Sequence, residues 1–215
     1  MKDTWINLFT FLKAPYLSAA YTPIKAGKFF TLLILTFALI VPYGLIMDVA
    51  GIDQFDHIGD ELFKKNKWLV SIVAIVLAPI MEEPIFRLHL DLKRSSIWWS
   101  IGLSVLLLGE LWVLVVLFWI YLFVLKYKVA QGNPPDLKYV LFISAAFFAL
   151  IHMGNFTDFD YRKYFYWVPF LVGVQFLVGL VLGYVRLKHG IYTAVVFHGA
   201  YNAIPTILVI YFSEG

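Results

Sequence analysis

The chain has no cysteine among its 215 residues, and only 14% of its residues are charged. The missing thiols exclude disulfide bonds, thiolate nucleophiles and cysteine-based zinc sites. The charged fraction is far below the value of about a quarter that is usual in soluble domains. With a formal net charge of only +3 and its basic residues scattered, the chain does not have the charge pattern of a nucleic-acid-binding protein.

Apolar residues take the place of the missing charges, at 61% of the chain with a mean hydropathy of +0.81. A spanning helix needs about 20 apolar residues, so we predict an all-α, polytopic integral membrane bundle of about six to eight helices. The predicted spans are approximately residues 29–50, 68–90, 139–152, 166–187 and 191–212.

The apolar run at residues 96–125 has two interpretations, one steeply tilted span or two short helices that turn near Gly109 and Glu110. Charge favours the two-helix hairpin. With it, twelve of the 17 Lys and Arg residues fall on one side of the membrane, leaving Lys64, Lys65, Lys67, Arg162 and Lys163 on the other. The positive-inside rule then predicts a cytoplasmic N-terminus.

Residues 1–28 are predicted to form an interfacial amphipathic segment, because their apolar stretches are too short to span a bilayer. Trp5, Phe9, Leu12 and Tyr16 recur there at helical spacing. The remaining residues, 29–215, are predicted to form one transmembrane domain.

Three short polar clusters interrupt the apolar spans, with the sequences EEPIFR at 82–87, FALIH at 148–152 and HGAYN at 198–202. A charged side chain near the centre of a spanning helix costs roughly 2.5 to 3.5 kcal/mol on insertion scales. Buried Glu, Arg and His residues in a membrane are therefore expected to be functional and to have one another as partners.

In the first cluster, Glu83 and Arg87 are four residues apart and can pair on one helix face. Glu82 is rotated by about 100° from Glu83 and is left free to face a cavity as a general base. Pro84 is expected to kink the helix beside the two carboxylates, with Pro79 as a second weak point.

The other two clusters repeat the spacing of one helical turn. Phe148 can pack against His152 and hold its ring, so that His152 shares a water molecule with Glu82. His198 and Asn202 present two polar groups in one direction, and such a pair can donate hydrogen bonds to a developing oxyanion.

In this order, the three clusters resemble the motifs of the CPBP family (CAAX protease and bacteriocin-processing, also called Abi) of intramembrane endopeptidases. That family has a Glu-Glu-x-x-x-Arg motif, a Phe-x-x-x-His motif and a His-x-x-x-Asn or Asp motif. The likeness covers about residues 75–203, and the run at 96–125 lengthens the distance between the first two motifs as an inserted hairpin would. The matching residues are Glu82, Glu83, Arg87, Phe148, His152, His198 and Asn202.

The resemblance implies hydrolysis of a membrane-bound or prenylated peptide without a cofactor. Glu82 and His152 would activate water, His198 and Asn202 would stabilise the oxyanion, and Glu83 and Arg87 would shape the site. A zinc ion held by Glu82, His152 and His198 is the alternative.

Two further hypotheses do not involve proteolysis. One is a non-catalytic membrane partner or bacteriocin self-immunity protein. The other is a proton-coupled transporter, which the lack of two repeated halves disfavours. The expected location is the cell membrane, with the active site open toward the cytoplasm.

Overall fold

A computed structural model describes residues 2–212. Of these residues 83% are helical, and none lies in a β-strand. The all-α prediction is confirmed. In chain order the α-helices are α1 (Lys2–Lys13), α2 (Ala26–Val49), α3 (Ile58–Ile72), α4 (Ala78–Arg87), α5 (Arg94–Ser104), α6 (Trp112–Ala130), α7 (Leu137–Ile151), α8 (Tyr161–Tyr164), α9 (Val168–Leu171), α10 (Gly173–His189) and α11 (Ile191–Phe212).

Within residues 2–212, six helical stretches are long and apolar enough to cross a membrane. Five of them correspond to the predicted spans, and the sixth, Trp112–Ala130, overlaps the second half of the apolar run at 96–125. The six stretches show that the chain is an integral membrane protein. Their bounds are Ala26–Val49, Glu61–Asp91, Trp112–Ala130, Leu137–Asn155, Tyr161–His189 and Ile191–Tyr211.

The long apolar run at 96–125 is divided between two helices that pack against each other. Helix α5 continues through a 3-10 turn at Val105–Leu107, and the chain then leaves helical geometry until α6 begins at Trp112. The indole nitrogen of Trp119 donates a hydrogen bond of 2.7 Å to the Ser104 hydroxyl, which ties the two helices together. The chain thus turns at Gly109 and Glu110, where the two-helix interpretation places the turn.

A π-helical turn, Val73–Leu77, joins α3 to α4 directly before the first polar cluster. Its wide hydrogen bonding is visible where the Ala78 N–H donates to the Val73 carbonyl, five residues earlier. The next bond in that pattern would need an N–H from Pro79, which has none. The carbonyl of Ala74 is therefore left for another donor, and this shapes the site described below.

Helices α7 and α10 form the centre of the bundle, and α10 belongs to the most buried of the six stretches. Small residues allow this close packing. A Cβ atom added at Gly179 would lie 3.2 Å from side-chain atoms of both Ala145 and Phe148 on α7. The close approach brings the second polar cluster against the wall of α10.

The N-terminal helix α1 packs on α2 and α10 through the buried side chains of Leu8 and Phe11. Phe9 of α1 remains exposed, as does Tyr16 in the segment that follows the helix. The location of residues 1–28 at the membrane interface remains a prediction. Residues 1 and 213–215 lie outside the described part of the chain.

Candidate active site

The three polar clusters converge on one cavity of about 510 Å³ between α4, α7, α10 and α11. Five of the seven predicted site residues line it, and the other two, Glu83 and Arg87, lie buried behind them. The complete lining consists of Ala74, Ala78, Glu82, Leu107, Phe148, Ile151, His152, Asn155, Gln175, Val178, His198, Tyr201, Asn202, Pro205 and Thr206.

The two adjacent glutamates have opposite environments, because one helical step turns them to different sides of α4. The side chain of Glu82 is 21% exposed and faces the cavity, whereas that of Glu83 is fully buried. Glu83 Oε2 lies 3.7 Å from Arg87 Nε, in the predicted pair along one helix. The Arg87 guanidinium also lies 4.0 Å from the ring centroid of Phe148, within range of a cation–π contact.

Glu83 has a second contact that the local sequence pattern does not contain. Its Oε1 atom accepts a hydrogen bond of 3.0 Å from Nδ1 of His198 on α11. A carboxylate can only accept, so Nδ1 carries the proton. The opposite ring nitrogen, Nε2, then points toward Glu82, whose Oε2 lies 3.9 Å away.

His152 is held by its own helix. Its Nδ1 atom donates a hydrogen bond of 2.7 Å to the Phe148 carbonyl one turn earlier, where α7 gives way to a 3-10 turn. A carbonyl only accepts, so Nδ1 is protonated and Nε2 of the neutral ring is an acceptor that can receive a proton. The Phe148 ring packs edge-on against His152 at 4.8 Å and against His198 at 5.8 Å between centroids.

Asn202 connects the third cluster to the π turn before the first. Its side-chain nitrogen donates a hydrogen bond of 2.8 Å to the Ala74 carbonyl, the one that Pro79 leaves without a helical donor. Helix α11 can approach so closely because residue 199 is glycine, where a Cβ atom would lie 2.7 Å from the Ile75 carbonyl oxygen. One amide hydrogen of Asn202 is thus used, and the second remains for a ligand in the cavity.

Gln175 on α10 is a cavity residue that the sequence analysis missed. Its Oε1 atom is buried and has no hydrogen-bond partner among residues 2–212. An unpaired buried amide oxygen is unfavourable by about 1 to 3 kcal/mol, which indicates a partner that enters the cavity. Gln175 is a polar residue within an apolar segment, which is the sequence signal that marks the three clusters. It was missed because no second polar residue lies one helical turn away.

The family match covers all three clusters. A family model described as "Type II CAAX prenyl endopeptidase Rce1-like" matches residues 64–204, about two thirds of the chain. The chain belongs to the Rce1-like family. It is therefore a membrane protein of a CAAX-type intramembrane protease family, as the resemblance to CPBP proteins predicts. No curated protein and no solved structure matches the chain.

The Rce1-like match begins within α3 and ends within α11, so it contains every residue of the cavity wall named above except Pro205 and Thr206. Helices α1 and α2 lie outside it. Among residues 2–212, no three His, Asp or Glu side chains are grouped so that they could hold a metal ion. Nδ1 of both cavity histidines is hydrogen-bonded to a protein acceptor, which leaves Nε2 of each ring for water or for a metal ion.

Proposed function

We propose that the chain is an intramembrane endopeptidase that hydrolyses a peptide bond of a membrane-associated or prenylated, CAAX-type protein. One observation carries the proposal. An accessible carboxylate, Glu82, and an imidazole with an open Nε2, His152, line a single cavity between spanning helices. Both are the groups that activate water in hydrolysis.

In the proposed reaction Glu82 takes a proton from a water molecule that also bonds to Nε2 of His152. The water oxygen attacks the scissile carbonyl carbon, and the tetrahedral intermediate collapses with cleavage of the carbon–nitrogen bond. Glu82 then returns the proton to the leaving amine. These steps use no cofactor and consume one water molecule for each peptide bond that is cleaved.

His198 and Asn202 are the proposed oxyanion donors. Asn202 has one free amide hydrogen. His198 already donates from Nδ1 to Glu83, so Nε2 can donate only when the ring is an imidazolium. The hydrogen bond to Glu83 holds the ring with Nε2 toward Glu82 and the cavity, which gives the buried Glu83 a role beyond its pairing with Arg87.

The remaining predicted residues position this machinery. Arg87 neutralises Glu83, and Phe148 packs between Arg87 and the two histidines. Gln175 is proposed to bind the substrate, because its amide can pair with a peptide group. Apolar cavity residues such as Leu107, Ile151 and Val178 suit a substrate that is lipid-modified or lies in the bilayer.

The proposed setting is the cell membrane, with the N-terminus on the cytoplasmic side. The support is the charge distribution given above. Prenylation takes place on a cysteine near the C-terminus of cytoplasmic proteins, so a CAAX-type substrate would have to reach the cavity from the cytoplasmic side.

The test compares peptide termini in membranes that contain the wild-type chain, Glu82→Ala or His198→Ala at matched protein level. We expect new termini in wild type that both variants lose, and these termini identify the substrate. Purified protein with a farnesylated peptide that ends in a CAAX sequence then provides the direct assay. Identical profiles, together with a cellular effect that still needs the protein, would replace the protease by a non-catalytic partner or self-immunity protein.

A second experiment separates the glutamate route from the zinc route. Protein treated with a chelator and dialysed is expected to retain its cleavage rate, and added zinc is expected not to increase it. Metal analysis of the purified protein accompanies the assay. Loss of cleavage on chelation with recovery by stoichiometric zinc would establish the metal-dependent alternative.

A further inference from the structure

A second cavity, of about 260 Å³, lies where α1 crosses the start of α2 and the end of α10. We call it the basic pocket. Most of its wall comes from the N-terminal segment outside the family match. The lining residues are Asn7, Thr10, Phe11, Ala14, Tyr16, Lys28, Tyr184 and Lys188.

The charge in this pocket is of one sign. Lys28 and Lys188 are both half-buried, and none of the lining residues is acidic. Within the described part of the chain neither lysine has a carboxylate at ion-pair distance. Lys188 instead donates to the Tyr16 hydroxyl, and the Lys28 ammonium lies 5.6 Å from the Tyr184 ring centroid. Two confined ammonium groups without a counterion favour an anionic ligand.

A third group in the pocket also lacks a partner. Tyr184 is fully buried, and its hydroxyl makes no hydrogen bond to any described residue. Its ring packs edge-on against Phe11 at 5.1 Å between centroids. A buried hydroxyl is normally paired, so the free O–H of Tyr184, a residue of the pocket lining, marks a place for an acceptor atom.

The height of the pocket along the bundle identifies the anion. Lys28 lies in the first turn of the Ala26–Val49 stretch, and Lys188 is the last residue but one of Tyr161–His189. Both ammonium groups therefore sit where hydrocarbon gives way to headgroups. The anions concentrated at that level are lipid phosphates, and Phe11 and Tyr16 offer aromatic surface for the adjoining part of a lipid.

We propose that the basic pocket binds the phosphate of an anionic phospholipid through Lys28, Lys188 and the Tyr184 hydroxyl. The lipid would fasten α1 to α2 and α10 and so join the N-terminal segment to the membrane domain. The site is separate from the cavity of the three clusters, and the inference does not depend on protease activity.

Native mass spectrometry of the full chain tests it, with phosphatidylglycerol and phosphatidylcholine titrated into the same detergent. Each basic residue near an anionic headgroup contributes enough that two should give about a 30-fold preference for phosphatidylglycerol. We expect Lys28→Gln with Lys188→Gln to abolish this preference. Lys13→Gln with Lys25→Gln removes the same charge from two exposed neighbours outside the pocket, and we expect it to retain the preference.

Tyr184→Phe removes only the oxygen atom and keeps the packing, so its expected reduction of the preference reports a bond to the ligand. Equal losses in the two lysine pairs would overturn the pocket in favour of general surface charge. No preference in wild type would overturn the proposal altogether. Inorganic phosphate and soluble glycerophosphoglycerol are added in parallel, and displacement of lipid by either at equal concentration would identify a soluble phosphate as the ligand.

Discussion

The polar residues of the membrane domain form two regions with different surroundings, although they alternate along the same helices. A sealed region holds Glu83, Arg87 and Nδ1 of His198, with both side chains of the ion pair at most 1% exposed. An open region holds Glu82, His152 and Gln175 on the cavity wall. Adjacent residues of one motif, Glu82 and Glu83, thus have different surroundings, because a single helical step turns a side chain from the packed interface to the cavity.

The sealed region is expected to orient the catalytic groups, and the open region is expected to carry out the cleavage. The charged groups of the sealed region face one another and not the cavity, and their loss is expected to lower stability. Groups in the open region line the cavity, and their loss is expected to lower the rate of cleavage with little effect on folding. His198 belongs to both, with Nδ1 on one side and Nε2 on the other. Variants at matched positions in the two regions test this division.

The largest effect is expected at Glu82. Glu82→Gln keeps the size of the side chain but cannot take a proton from water, so cleavage of the reporter peptide should fall by about 10² to 10⁴-fold. The thermal unfolding midpoint in detergent should stay at the wild-type value, since the side chain is partly exposed. Glu110→Gln, an exposed carboxylate in the turn after α5, is the control and should change neither. Retained cleavage in Glu82→Gln would refute its role as base.

The next effect is expected at Glu83, and it should appear in stability. Glu83→Ala leaves the guanidinium of Arg87 buried without its counter-charge, which should lower the free energy of unfolding by about 3 to 5 kcal/mol. Unfolding by SDS titration in mixed micelles measures it. Glu61→Ala on the exposed face of α3 provides the matched control.

A double variant tests the role of Glu83 if Glu83→Ala fails to fold. Replacing both charges, as Glu83→Gln with Arg87→Met, should restore most of the stability because no charge is then left unpaired. Cleavage should stay low, since His198 loses its charged partner. A double variant with full activity would show that Glu83 serves the fold alone.

A smaller effect is expected where α11 approaches the π turn. Gly199→Ala places a methyl group against the Ile75 carbonyl, so the free energy of unfolding should fall by about 1 to 3 kcal/mol. Gly44→Ala, in the middle of α2 with open space around it, should instead leave stability unchanged or raise it slightly. Equal results for the two glycines would contradict the close contact that positions Asn202.

The sequence predicted what depends on short spacing. Residues one helical turn apart, such as Glu83 with Arg87 and Phe148 with His152, meet in the structure as the helical period requires. The membrane spans were equally accessible, because long apolar runs have few alternatives. The turn at Gly109 followed from charge.

The contacts between distant segments could not be predicted in this way. Glu83 and His198 are 115 residues apart, and only helix packing brings them together. The free carbonyl of Ala74 has a sequence signal in Pro79, but its partner Asn202 lies 128 residues further along the chain. These contacts depend on which helix faces are neighbours, and spacing within one helix carries no information on that.

Gln175 provides the finest test of the open region, with the smallest expected effect. Gln175→Leu replaces the amide by an apolar group of similar size, so it removes the unpaired oxygen and should leave stability unchanged or raise it slightly. If the amide binds a peptide group of the substrate in both ground and transition states, KM should rise by about tenfold while kcat changes little. Leu177→Ala, two residues further on the same helix but outside the cavity lining, is the control for altered packing of α10. A Gln175→Leu enzyme with wild-type KM would mean that the amide faces the cavity without binding the substrate, and the open region would then reduce to the motif residues.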